Sequence, residues 1–190
     1  TCRGFDHFAG FYSAASDYFS HEVGPGYDYH NNTGIDASVV STYTTHAVTS
    51  AVEGWIEREI AADAAAKTFA YVAHEAVHGP LEVPISYIND ECRALVPADY
   101  PSRLIYCGMV RAMDESVANI TAMYKRLGIY DETLFILSAD NGGNPGEGGN
   151  NYPLRGNKAT TNKGGVRGLG FISGAGLTAA VRGTVNHHDI

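Results

Sequence analysis

A chain of 190 residues suits one α/β domain or part of a larger one, and a hydrophobic share of 44% is ordinary for a globular core. No apolar run approaches the ~20 residues that cross a bilayer, so these residues offer no transmembrane helix. The formal net charge of −8 comes from dispersed acidic residues and leaves no electrostatic footprint for nucleic acid.

Thr1 is not an initiating Met, and neither a basic n-region nor an apolar h-region follows it, so the chain reads as processed or as a fragment. From Thr1 to about Ile35 there is no sustained helical or strand period. The many aromatics, Phe5, Phe8, Phe11, Tyr12, Tyr18 and Phe19 among them, predict an ordered surface segment whose rings mostly pack. Asn31-Asn32-Thr33 is an N-glycosylation sequon, as is Asn119-Ile120-Thr121 further on, and both act only in the secretory pathway.

Thr45 to about Ala66 predicts a helix, with Val48, Val52, Trp55, Ile56 and Ile60 in the i, i+3, i+4 rhythm. Lys67 to Ala73, KTFAYVA, predicts a compact strand that runs into His74, Glu75 and His78 before Gly79-Pro80 breaks it. Four prolines between Pro80 and Ser102 predict a loop with at most short helical turns. Cys92 and Cys107 would close a short loop in an oxidising compartment and leave Cys2 over; three buried reduced thiols are the other reading of an odd count. Arg103 to Leu127 predicts a second helix with Leu104, Met109, Val110, Met113, Val117, Ile120 and Tyr124 inward and Gly128 as its stop.

Leu134 to Leu137 is a short apolar run of the kind that fills a strand covered on both faces. Strand, loop, helix and strand in that order describe a right-handed βαβ crossover within a mostly parallel sheet. Function in such sheets gathers at the carboxyl edge, where this chain places Asp140, Asn141, Gly142 and Gly143. Asp140 and Asn141 offer hard oxygen donors suited to Ca²⁺ or Mg²⁺, although Asp-Asn-Gly-Gly also reads as a plain turn. The glycine-rich stretch that follows carries Arg155, Lys158, Lys163 and Arg167, cations that suit an anionic ligand or simply an exposed loop. Gly168 to Ser173 could form another strand.

Two metal readings compete. His74-Glu75-Ala76-Val77-His78 matches the H-E-x-x-H pattern of zinc proteases, which requires a helix that Gly79-Pro80 would cut short. The alternative joins His78, Asp140, Asn141 and Lys158: a hard cation on Asp140 and Asn141 binds one oxygen of a sulfate or phosphate ester while His78 and Lys158 donate to the others.

FAYVAHEAVHGPLEVP, MVRAMDESVANITAMYKRLGIYDETLFILSADNGG and GGNNYPLRGNKATTNKGGVRGLGFIS, preceded by RGFDHFAGFYSAASDYFSH, occur in an order and spacing that resemble the type I sulfatases of the arylsulfatase B (N-acetylgalactosamine-4-sulfatase) kind. The resemblance implies an alkaline-phosphatase-like α/β/α sandwich with a mostly parallel sheet, incomplete in this chain. It implies that residues 1–190 are the central part of a single catalytic domain, with the nucleophile segment upstream and a small domain downstream. Asp140 and Asn141 would be Ca²⁺ ligands, and His78 and Lys158 catalytic, sulfate-contacting residues. The substrate would be a sulfated carbohydrate or aryl sulfate, and the setting secreted or lysosomal.

The family's nucleophile is a formylglycine made from the Cys of a C-x-P-x-R motif, which these residues do not contain; Asp99-Tyr100-Pro101-Ser102-Arg103 imitates only its tail. Ala159, Asn162 and Lys163 stand where such proteins usually carry Trp and an acidic residue. These departures keep open a second reading, a catalytically inactive sulfatase-like module used extracellularly for binding or structure.

Overall fold

The computed structural model describes residues 4–185, so Cys2 lies outside the described residues. The chain divides into two compact units, Thr1–Met123 and Tyr124–Ile190.

The first unit begins with short antiparallel strands. β1 (Ala9–Gly10) is followed by the hairpin β2 (Glu22–Val23) and β3 (Gly26–Tyr27), then β4 (His30–Asn31) and β5 (Gly34–Ile35). β4 lies between β1 and β5 in a three-stranded sheet. Asn32 makes the β4–β5 turn with φ 56°, a left-handed conformation that Asn tolerates, and its Oδ1 accepts from the Phe8 amide at 3.1 Å. As expected the segment is ordered, with Tyr18 and Tyr29 buried, while Tyr12 stacks on His30 near the surface.

Helix α1 spans Thr44–Ala62, and Asp63 in extended backbone stops it short of the expected Ala66. Its buried residues are Thr44, Thr45, Ala47, Val48, Thr49 and Ile56. Of the expected apolar stripe only Val48 and Ile56 are fully inside, because the helix is sunk at its N-terminal end, where Tyr18 O accepts from the Thr44 amide and hydroxyl at 2.8 and 3.1 Å.

The strand expected over Lys67–Ala73 does not form: Phe69 is 72% and Tyr71 77% exposed. A strand exists through its ladder, and among the described residues no segment pairs with this run.

α2 (Asp90–Leu95) is one of the short helices the proline-rich loop allows, capped by Asn89 Oδ1, which accepts from the Cys92 amide at 3.1 Å. The Cys92–Cys107 disulfide joins it to α3 (Pro101–Arg126), so of the two cysteine readings the bridge is the one observed. Met109, Ala112, Ser116, Ile120 and Met123 face inward on α3, whereas Val110 is 38% exposed. The core gathers Tyr18, Tyr43, Ala76, Met109 and Ala112, with Leu81, Val83 and Ile105 packed around them.

The second unit opens with the end of α3. Gly128 at φ 73° donates to Lys125 O and Ile129 N to Tyr124 O, a left-handed cap that satisfies the last carbonyls at the predicted stop. β6 (Leu134–Ser138) follows, then α4 (Lys163–Val166) and β7 (Gly170–Gly174). β6 and β7 pair antiparallel from Leu134↔Gly174 to Ser138↔Gly170. Phe135 packs against Tyr124 and Tyr130, while Leu134 and Ile136 are exposed.

Two sheet expectations are thereby corrected. β6 alternates between half-buried and exposed instead of being covered on both faces. The expected parallel crossover is absent among the described residues, whose strand pairs are all antiparallel. The run Lys67–Ala73 has no strand partner among the described residues, and the glycine-rich connection returns the chain alongside β6 in the opposite sense.

Candidate functional site

The end of β6 delivers Asp140 and Asn141. Ala139 N donates to Leu169 O at 2.8 Å, continuing the β6–β7 ladder by one bond before the backbone turns away. Asp140 is exposed and Asn141 half-buried. Asn141 Nδ2 donates to Gly142 O at 3.0 Å, which leaves Oδ1 as the atom able to ligate.

The turn is fastened to the glycine-rich loop by the main chain. Gly142 N donates to Gly165 O at 2.9 Å, and Gly143 O accepts from Lys158 N at 3.2 Å. A Cβ on Gly142 would collide with the Gly164 carbonyl, so glycine is required there for close backbone approach. Asn151 adds a side-chain brace across Gly143. Asp140, Asn141 and the backbone of Lys158 thus belong to one loop cluster. Arg155, Lys163 and Arg167 lie in the same loop region and are exposed.

As a donor set, Asp140 and Asn141 supply a carboxylate and an amide oxygen, chemistry that fits Ca²⁺. Two such donors would make only part of a shell, since Ca²⁺ takes six to eight oxygens. Among the described residues no three His, Cys, Asp or Glu side chains gather as a metal-binding group.

His78 belongs to the first unit. It is exposed, and its Nδ1 lies 2.7 Å from Gly79 O. Since a carbonyl only accepts, Nδ1 carries the proton and Nε2 is the outward atom. The His78 carbonyl accepts from the Tyr18 hydroxyl at 2.9 Å, and its amide donates to Glu75 O at 2.8 Å.

Residues 74–78 form a turn, not a helix, which undoes the zinc-protease geometry. Glu75 is buried and accepts from the Ser16 amide at 2.6 Å and hydroxyl at 3.4 Å. Burial pushes its carboxyl above the usual range, partly offset by those bonds. His74 Nε2 faces Ser116 Oγ at 3.4 Å, and burial pushes its ring below the usual histidine value. Glu75 is therefore committed to Ser16, away from any role as a general base beside two histidine ligands.

Sequence reasoning gives Tyr18 only as a packing ring and misses its hydrogen bonds and those of Glu82 and Asn151. Glu82 Oε2 accepts from Tyr18 N at 3.0 Å, and its carbonyl accepts from Tyr43 Oη at 3.0 Å. None of these contacts leaves a spacing signal. Of the two sequons, Asn31 lies on β4 and Asn119 on α3, and both are exposed.

The sulfatase family model matches residues 1–190. Arylsulfatase J of Mus musculus is 36% identical over 178 residues, covering 90% of this chain and 29% of its own length. The crystal structure of Ps i-CgsB in complex with k-i-k-neocarrahexaose superposes with a TM-score of 0.76 at 28% identity, covering 90% of this chain and 40% of that one. The crystal structure of Ps i-CgsB matches with the same values. The chain thus spans well under half the length of these relatives. Their shared architecture is the alkaline-phosphatase-like α/β fold, of which these helices and small sheets are an incomplete part. The chain belongs to the sulfatase family.

Proposed function

We propose that residues 1–190 form the central part of a single catalytic domain that hydrolyses sulfate esters, with a sulfated carbohydrate or an aryl sulfate as substrate. The observation that carries this reading is the hydrogen bond from Lys158 N to Gly143 O, which ties a cation-bearing loop to the turn holding Asp140 and Asn141. The oligosaccharide in the Ps i-CgsB complex supports a carbohydrate substrate.

Asp140 and Asn141 hold Ca²⁺ together with ligands from outside these residues, and the ion when bound neutralises sulfate charge. The sulfate-contacting roles fall to His78, which with Nδ1 committed to Gly79 O would donate from Nε2 when protonated, and to Lys158, which would donate from Nζ. The nucleophile, a formylglycine, comes from outside these residues. Cys92 and Cys107 cannot supply it, since they are joined to each other.

The disulfide and the two exposed sequons support a secreted or lysosomal setting with glycans on Asn31 and Asn119. No helix of the described residues is long and apolar enough to cross a membrane.

A second reading, an inactive binding or structural module, is motivated by Ala159, Asn162 and Lys163 around Lys158. Hydrolysis of 4-nitrocatechol sulfate by the full-length protein in Ca²⁺ decides between them. Turnover that is lost in Asp140→Ala is the expected result. A folded, Ca²⁺-supplied protein without turnover would overturn the hydrolase and leave the module.

A further inference from the structure

Tyr18 is fixed through both its ring and its main chain. Its side chain is 0% exposed and stacks on Tyr43 with ring centroids 5.3 Å apart. Its amide donates to Glu82 Oε2 at 3.0 Å, and its carbonyl accepts from the Thr44 amide and hydroxyl. Main chain and ring are held, so the hydroxyl has one place to point, and it donates to the His78 carbonyl at 2.9 Å. Burial, with the Glu75 and Glu82 carboxylates adding to it, holds the phenol far above its ordinary value, so it stays a donor.

His78 is the opposite case, an exposed side chain. Two hydrogen bonds in series restrain it. Tyr18 Oη fixes the plane of the peptide between His78 and Gly79, and the carbonyl of Gly79 at 2.7 Å then fixes the imidazole through Nδ1. Remove the first bond and the His78–Gly79 peptide is no longer held, so Gly79, whose carbonyl is the second acceptor, loses the restraint on the peptide that precedes it. We infer that Tyr18 is a positioning residue for His78, aiming Nε2 through the His78–Gly79 peptide without touching substrate. The inference rests on the proposed sulfate-contacting role of His78. Pre-organisation of this kind matters because a misplaced donor loses transition-state stabilisation well before it loses binding.

The test is a double-mutant cycle in the full-length protein, with kcat and KM for 4-nitrocatechol sulfate measured for wild type, Tyr18→Phe, His78→Ala and the double variant. Tyr18→Phe is expected to lower kcat on the order of tenfold with little change in KM, and to add nothing in the His78→Ala background. Tyr18→4-aminophenylalanine, which restores a donor on a ring of the same shape, is expected to recover part of the loss. Should Tyr18→Phe fail to fold, that weaker donor goes through the same cycle. Equal losses in both backgrounds, or no loss from Tyr18→Phe, would overturn the inference. Wild-type activity in His78→Ala would instead remove the reading of His78 on which it rests.

Discussion

The side chain of Asn151 closes a ring on Gly143: its Oδ1 accepts from the Gly143 amide and its Nδ2 donates to the Gly143 carbonyl, both at 2.8 Å. That carbonyl also accepts from Lys158 N, so one glycine two residues beyond Asn141 is gripped from two points of the following loop. Removing the side-chain amide leaves the partly buried Gly143 N–H without its partner and the Gly143 carbonyl with Lys158 N alone. Asn151→Ala is expected to destabilise the protein by about 1–3 kcal/mol, read as a fall in denaturation midpoint. It should also raise the Ca²⁺ concentration for half-maximal sulfatase activity, because the turn presenting Asp140 and Asn141 is loosened. Unchanged Ca²⁺ dependence in a destabilised variant would confine Asn151 to a role in folding.

What was legible in the sequence and what was not divide along physical lines. β6, the end of α3 at Gly128 and the oxygen donors after the strand are local signals, an apolar run, a glycine and a change of polarity, and all stand where they were read. The strand over Lys67–Ala73 was an apolar run too, but pairing is a property of two segments, and no partner stands beside it among the described residues. Val110 was placed inward by a rough period that the buried sequence Met109, Ala112, Ser116, Ile120 does not include. Tyr18, Glu82 and Asn151 act through contacts between segments far apart in the chain, or across a loop without period, and no spacing encodes them.

The disulfide offers a cleaner stability test. Cys92 and Cys107 are 15 residues apart, and closing a loop of that length stabilises by about 3 kcal/mol in the chain-entropy account. The Cys92→Ser, Cys107→Ser double variant should lose that amount in chemical denaturation. Reduction of the wild type should bring it to the same midpoint. A reduced wild type as stable as the oxidised one would mean that the packing of α2 and α3 does the work alone.

Glu75 carries a pH signature. Burial, offset in part by the Ser16 bonds, raises its folded pKa above the ordinary 4.5, so the native state binds a proton more tightly than the unfolded chain. Its contribution is then most favourable below 4.5 and is lost as pH rises through the higher folded value. Glu75→Gln keeps an oxygen acceptor for the Ser16 amide and has nothing to ionise. The variant should match wild type in acid and gain on it as pH rises, measured as the difference in unfolding free energy across the acid-to-neutral range. His74 acts with the opposite sign: burial depresses its pKa below 6.5, so its contribution is present above 6.5 and lost as pH falls through the folded value. A Glu75→Gln difference that shrinks with rising pH would refute the assignment.

Lys158 gives the most direct chemical prediction. Its backbone amide is engaged with Gly143 O, and that bond survives any change of side chain other than to proline, so activity and stability separate at this position. If Nζ donates to a sulfate oxygen as charge develops there, Lys158→Ala should lower kcat on the order of 10²–10³ while the melting temperature stays near that of wild type. Lys158→Arg keeps the charge and spreads it over a planar fork, so it should recover only part of the rate. Inhibition by inorganic sulfate provides a second readout, with weaker inhibition of the alanine variant than of wild type. A Lys158→Ala protein with wild-type kcat and unchanged sulfate inhibition would take Lys158 out of the site and leave the exposed Arg155 and Lys163 of the same loop region as the cations to be tested next.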